Sequence, residues 1–499
     1  MFSNDLDITN RAEPNLGKHL VILILGACTS FLVLLSIFWV GFLGSDDSLY
    51  WAGAGGWLRE FPYVGDSHWT LRHTLVIPMA IARLVVGDGM AAMVTPIILY
   101  ALGIIIVVGV WVGRNCGTLA SAAALALIIT NPQFLLLSSS AYIDIVETFY
   151  LVSGLAIFHE AIKRDGSLLL TLCSGVLVGL AMLSRETTAL AVFAIVILFM
   201  AGFGVSRWKY FVIGAGFLLP VGLEFVWLWR ATGILFYRSN IAIHHDSTID
   251  RWSAQGSAVP LVHPALDPFI MLLLNHNFAL LFWIGPPFVI WLLRQATIRK
   301  TERQLFVLAS VIAAVWTLTA AFLWSLLPLT PRYYFLPSVL LALLTGVAIV
   351  KAWTAHYRKL CFGVIGLALS TNLVAVSLDN RHYMWGEHEL VEVVREGQSL
   401  IHTSTQTLRR AQLLLVWSDV TSKVVDTPPA PGDLYYYDPT RAEGSLHPGP
   451  KWSVVQKIMP PESAGQWVLG RIVKRDDIPA KLWALLGPGH PPVIIYRVE

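Results

Sequence analysis

The stretch LVILILGACTSFLVLLSIFWVGFLG, residues 20–44, runs for 25 residues without one Asp, Glu, Lys or Arg, and Ser45-Asp46-Asp47-Ser48-Leu49-Tyr50-Trp51 follows it directly. A helix needs about 20 apolar residues to cross the hydrocarbon of a bilayer. The run is therefore a membrane span, and two adjacent carboxylates stand at its mouth. Leu25-Gly26-Ala27-Cys28 inside it looks like a lipoprotein cleavage box, but the apolar run continues well past Cys28. A signal-peptide core has only ~7 to 15 residues, so the run reads as a retained first span.

Outward from this segment, uncharged runs recur at residues 89–113, 166–184 and 360–378. Of 499 residues, 56% are hydrophobic and 13% charged, against roughly 25% charged in a soluble domain. A soluble fold cannot hide that excess. The net charge of +3 comes from 35 basic and 32 acidic residues, which sets aside nucleic-acid binders and polybasic membrane-surface proteins. The four cysteines, Cys28, Cys116, Cys173 and Cys361, fall in apolar segments, where thiols act as small hydrophobes. A disulfide framework is not expected.

Apolar stretches between charged turns predict eleven spans, near 20–43, 89–113, 118–138, 144–162, 167–184, 187–205, 210–229, 268–293, 304–327, 333–350 and 360–378. The apolar segment from His73 to Val86 is short and holds Pro78 and Arg83, so it is expected to lie at the interface. Short cytoplasmic loops accumulate Lys and Arg. With the N-terminus inside, the loops carrying Lys18, Lys163, Lys209, Lys300, Lys351 and Lys359 all fall on the cytoplasmic side. Counting His73–Val86 as a twelfth span would scatter them. The expected architecture is an all-α polytopic membrane domain over residues 1–378 and an extracytoplasmic domain over 379–499. That tail has ordinary charge density, helical patterns at Glu387–Glu396 and Gln406–Trp417, and strand-like runs at Ser399–Thr403, Leu434–Tyr437 and Val493–Val498, so it reads as a small α/β domain. No repeat, low-complexity tract or Walker-type glycine loop stands in the chain, which argues against nucleotide chemistry.

This topology gathers charge at the outer ends of the spans. Asp46 and Asp47 follow the first. Asp144 and Glu147, at i and i+3, head the fourth, where both can face one cavity. Arg72, Arg185 and Arg332 each end an apolar segment on the same side. Carboxylates at membrane depth are costly and mark functional sites by default. Arginine binds phosphate in a bidentate manner, so arginines facing carboxylates form a site for an anionic headgroup beside a general base. Simple ion pairing, Arg185 with Glu186 for instance, is the competing explanation for any one of them. His244-His245-Asp246 in the long loop after Arg230 is read as a polar loop tip ahead of a metal or substrate site. Glu224 and His276, inside spans, either line a groove or hydrogen-bond to neighbours.

Asp46-Asp47-Ser48-Leu49-Tyr50 resembles the Asp-Glu-x-x-Tyr signature of the first extracytoplasmic loop in the GT-C superfamily of integral membrane glycosyltransferases. The group it looks most like comprises protein mannosyltransferases, aminoarabinose transferases and rhizobial galacturonosyltransferase-like enzymes. Trp69 to Pro78, with Arg72-His73, sits where that group has a basic residue followed by prolines, and Tyr142 to Phe149 resembles its second acidic loop. Leu183-Ser184-Arg185-Glu186-Thr187 is similar to its basic turn, and Pro331-Arg332-Tyr333-Tyr334-Phe335-Leu336-Pro337 to its Arg-Tyr-x-x-x-Pro segment. Asp47 replaces the usual Glu, and His73 stands where Pro follows the basic residue.

The resemblance covers residues 20–350. It implies transfer of a sugar from a polyprenyl-phosphate carrier to an extracytoplasmic lipid, glycan or protein, with inversion, in an integral protein of the bacterial inner membrane. Its catalytic residues would be Asp46, with Asp46 the general base, Asp47 and Asp144; Arg72, His73, Arg185, Arg332, Tyr50 and Glu147 would bind substrate or phosphate. No cofactor is required. Oxygen ligands from Asp46, Asp47 and Asp144 suit magnesium or manganese, but nothing in the residues demands a metal. A transporter or flippase of lipid-linked sugars is the alternative; it calls for charges near the bilayer midplane and broken helices in paired halves, whereas here the charges gather at one face.

Overall fold

The structure, a computed structural model, describes residues 16–244, 262–263, 266–295, 298–323, 329–355, 357–379, 383–397, 399–441, 446–487 and 490–499. The described residues begin with α1 (Leu16–Ile37), unbroken through Cys28, then α2 (Asp46–Arg59), α3 (His73–Val86), α4 (Met90–Cys116) and α5 (Thr118–Ile129). It continues through α6 (Pro132–Ser138), α7 (Ile143–Lys163), α8 (Leu168–Ser184), α9 (Ala189–Met200), α10 (Arg207–Thr232) and α11 (Tyr237–His244). The remaining bundle helices are α12 (Asp267–Leu274), α13 (Leu281–Arg294), α14 (Lys300–Phe322), α15 (Phe335–Thr354) and α16 (Arg358–Asp379).

Among the described residues, seven helices are long and apolar enough to cross a membrane: α1, α4, α7, α10, α14, α15 with its leading turn, and α16. An eighth is counted if α5 and α6, which meet at a 65° bend, form one broken span. This is an integral membrane protein. The eleven expected spans all contain helix, yet α8, α9 and α13 reach only 17, 12 and 14 residues. The shortfall has local causes. Arg185 turns into extended backbone and Glu186–Thr188 into a 3-10 turn, which separates α8 from α9. A second 3-10 turn at His276–Phe278, closed by Ala279 at positive φ, divides the segment 268–293 into α12 and α13. The stretch His73–Val86 forms the short helix expected of it.

Helix α15 is buried without a break from Phe335 to Ile349, as a helix apolar all round must be. Helices α8 and α10 run alongside each other in close backbone contact. A Cβ on Gly175 would meet the Ile213 carbonyl, one on Gly179 the Phe217 carbonyl, and one on Gly216 the Leu172 carbonyl. Small residues allow such backbone contact where lipid offers no hydrophobic drive. This register carries Glu186, just past α8, to the level of Glu224 on α10.

Beyond the bundle stand α17 (Trp385–Glu396), β1 (Ile401–Thr403), α18 (Thr405–Trp417), β2 (Val424–Val425), β3 (Leu434–Tyr437), β4 (Ser453–Ile458), α19 (Ala464–Ile472), α20 (Ala480–Leu485) and β5 (Val493–Arg497). The sheet order is β2-β1-β3-β5-β4. Strand β1 is parallel to β2 and β3, while β5 runs antiparallel to β3 and β4. The expected α17, β1, α18, β3 and β5 are all present; β2, β4, α19 and α20 carried no clear periodicity.

Candidate active site

The charged residues meet where α7 begins. Asp46 and Asp47 occupy the first turn of α2, and adjacent helical side chains diverge. Asp47 is 3% exposed and turns back onto its own approach, accepting N–H bonds from Leu43 at 2.6 Å, Ser45 at 2.7 Å and Ser48 at 3.0 Å. Burial raises its pKa above the ordinary carboxylate value, and those three donors pull the other way. Asp46 faces outward from the turn and pairs with Arg332 at 3.2 Å.

Arg332 lies in the 3-10 turn Pro331–Tyr334 that leads into α15, and Trp316 of α14 fixes that turn by donating to the Tyr333 carbonyl at 2.7 Å. The Tyr333 ring sits between two arginines: the Arg185 guanidinium is 4.3 Å from its centroid and that of Arg332 5.9 Å. Arg185 is ion-paired with Asp144 in the first turn of α7. This corrects the bland Arg185–Glu186 pairing considered above. Glu147, one turn on, accepts hydroxyl bonds from Thr187 at 2.7 Å and Thr188 at 2.8 Å. The unbroken series Asp46–Arg332–Tyr333–Arg185–Asp144 thus joins four segments far apart in sequence.

Tyr50 stands one turn after Asp46 and is 1% exposed. Arg72 donates to its hydroxyl and contacts His68, with its guanidinium 5.5 Å from the Tyr50 ring centroid. His73 does not join this group. Its Nε2 lies 3.2 Å from Glu224, its ring packs on Trp57 and Trp227, and burial, with the Arg238 charge acting in the same sense, pushes its pKa down to about 3. It is a neutral imidazole facing away from Arg72.

Arg238 escaped the sequence reading. It pairs with Glu186 at 3.0 Å and Glu224 at 2.9 Å, and donates to the carbonyls of Leu71 and Leu183. It thereby fastens α11 to the ends of α8 and α10. The available signal was its position just past a span holding an otherwise unpaired Glu224. Tyr333 and His68 were also missed, since aromatics and histidines beside spans are commonplace. His276 lies in the 3-10 turn after α12, not inside a continuous span. Of His244-His245-Asp246, His244 ends α11 and the other two lie outside the described residues.

Asp144 Oδ2 and Arg72 Nε are among the polar atoms buried here without a hydrogen-bond partner among the described residues. Buried polar atoms are normally satisfied, so both are open to a ligand. The carboxylates fit a divalent cation poorly. Asp47 is committed to backbone N–H groups, Asp46 and Asp144 each face a guanidinium, and the described residues hold no group of three or more His, Cys, Asp or Glu arranged to bind a metal.

No protein-family model and no curated protein matches the chain. Solved structures do. ArnT from Cupriavidus metallidurans bound to undecaprenyl phosphate superposes with a TM-score of 0.56 at 12% identity, over 87% of this chain and 96% of that one. The same protein in the apo state gives 0.51 at 11%, over 86% and 94%. The oligosaccharyltransferase of Archaeoglobus fulgidus tethered to an acceptor peptide gives 0.50 at 14%, over 83% of this chain and 64% of that one. The chain thus shares the fold of these solved membrane proteins, over nearly the whole length of the ArnT structures.

Proposed function

We propose that the chain transfers a sugar from a polyprenyl-phosphate carrier to an acceptor hydroxyl at the extracytoplasmic face of the membrane. The observation that carries this reading is the series Asp46–Arg332–Tyr333–Arg185–Asp144, in which two arginines and two carboxylates converge where α7 begins and an Asp144 oxygen stays open. The similar ArnT structure was solved with undecaprenyl phosphate bound, a ligand with the chemistry these arginines suit. The six one-sided lysines support a cytoplasmic N-terminus and an outer location for this end of the bundle.

In the reaction, Arg332, Arg185 and Arg72 hold the carrier phosphate and stabilise the charge that develops as the bond from phosphate oxygen to the anomeric carbon breaks. The acceptor attacks that carbon from the opposite face, with inversion, and Asp46 takes its proton. Arg332 is shared between Asp46 and the phosphate, so phosphate binding loosens its hold on Asp46 and leaves that carboxylate free to act as base. Asp144 fixes Arg185, Glu147 fixes the turn after α8 through Thr187 and Thr188, and Asp47 shapes the turn that presents Asp46. No step passes through a metal.

The test is mass spectrometry of lipid A, cell-wall glycans and glycoproteins from a deletion strain. One glycan should lack a sugar while the corresponding polyprenyl-phosphate sugar accumulates. An unchanged set of glycans and carrier lipids contradicts the proposal.

A further inference from the structure

Eight residues, 38–45, separate the end of α1 from the start of α2, and they decide where Asp46 stands. This connection is gripped by the C-terminal domain. Trp417, at the end of α18, packs edge-to-face on Phe42, with centroids 5.6 Å apart, and on Trp51, at 5.1 Å. Arg410 lies two turns earlier on the same helix and so on the same face. It donates from Nη2 to the Leu43 carbonyl at 2.7 Å. The N–H of that same Leu43 donates to Asp47. One peptide residue therefore has its carbonyl held by the C-terminal domain and its N–H by the carboxylate next to Asp46.

The grip is itself braced. Arg410 Nε lies 3.2 Å from Glu387 of α17, whose side chain is wholly buried, and Nη2 contacts the Met384 sulfur at 3.3 Å. Gly44, at φ +61, sits against Met384 so closely that a Cβ there would come within 2.9 Å of its methyl group. The positive φ favours glycine there.

We propose that Arg410 and Trp417 are positioning residues for sugar transfer: they act through Leu43 and Phe42 to hold Asp46 at its working distance from Arg332. The proposal rests on the reading of Asp46 as general base. Misplacing a reacting group by 1 Å can cost ~10²-fold in rate, which a loosened eight-residue connection readily produces. It assigns the C-terminal domain a part in the chemistry although its residues act at one remove.

The test uses the full chain in lipid nanodiscs and in host membranes. Arg410→Gln is the first variant, because Glu387 keeps its pairing with Arg441 at 2.8 Å and the domain retains its buried charge pair. Trp417→Phe, which keeps an aromatic ring, is the second. For Arg410→Gln, amide exchange across residues 42–51 should accelerate, transfer to the host glycan should fall by ~10²-fold, and affinity for undecaprenyl phosphate should stay at the wild-type value. Arg410→Lys should recover part of the rate, and Trp417→Phe should lie between wild type and Arg410→Gln. Wild-type exchange and wild-type transfer in Arg410→Gln overturn the proposal, as does fast exchange with undiminished transfer. Asp46→Asn, measured in parallel, separates the two claims. If it transfers at the wild-type rate, the base assignment has failed and the proposal falls with it. If it is inactive while Arg410→Gln transfers normally, only the positioning role has failed.

Discussion

Helices α7 and α15 each stand against an ion-pair network at both ends, and the two ends are built differently. Where α7 finishes and α15 finishes, Glu302 of α14 is 1% exposed and fully engaged: Lys351 reaches both of its oxygens at 2.9 and 3.0 Å, and Arg299 donates at 3.1 Å. Beside it, His159 bonds to the Thr301 carbonyl through one ring nitrogen and accepts from Trp111 through the other. That end is closed. Where the same two helices begin, Asp144 keeps one oxygen open, Arg72 keeps its Nε open, and Asp46 and Arg332 are both partly exposed. A buried carboxylate with both oxygens paired, as in Glu302, holds helices together, whereas Asp144 keeps one oxygen for a further partner.

The largest expected effect is at the open end. Asp46→Asn keeps size but cannot accept a proton, and loss of a general base costs ~10² to 10⁴ in rate. The variant should insert, bind undecaprenyl phosphate and transfer almost nothing, as read by carrier-lipid accumulation. Asp47→Asn sharpens the contrast between neighbours: it should lower stability by about 1–3 kcal/mol through weakened N–H bonds at the turn, with a smaller loss of rate.

At the closed end, Glu302→Gln should lower stability by about 1.5–3 kcal/mol, the range for hydrogen bonds to charged groups. The low end of that range is expected because Lys351 and Arg299 reach solvent. Thermal denaturation in detergent reads this shift, and undecaprenyl phosphate affinity should not move. A loss of affinity in this variant would remove the distinction between the ends.

Much of this was legible in the sequence, and what was not has physical causes. Long uncharged runs such as residues 20–44 and 89–113 announce spans because lipid tolerates nothing else. The shortness of α8, α9 and α13 was hidden, since hydropathy does not register a 3-10 turn such as Glu186–Thr188 or a positive φ at Ala279. The carboxylates and arginines stood out because charge at membrane depth is expensive. Their pairing did not, because Arg332–Asp46 and Arg185–Asp144 are set by helix packing across the bundle. Arg238 was overlooked for the same reason: its two glutamate partners come together only through the glycine-lined contact of α8 and α10. His73 shows the opposite error, as adjacency to Arg72 suggested a shared role that the first turn of α3 prevents by sending the two side chains apart.

The central claim is that the open end, and not the closed one, binds a carrier phosphate. Its most direct test is the affinity of undecaprenyl phosphate for the purified chain in nanodiscs, compared among wild type, Arg332→Ala and Glu302→Gln. Losing a charge-assisted contact of about 1.5–3 kcal/mol corresponds to ~10- to 100-fold in affinity. Wild type and Glu302→Gln should bind alike and Arg332→Ala more weakly by that factor; equal affinity in all three, or a loss confined to Glu302→Gln, would contradict the account.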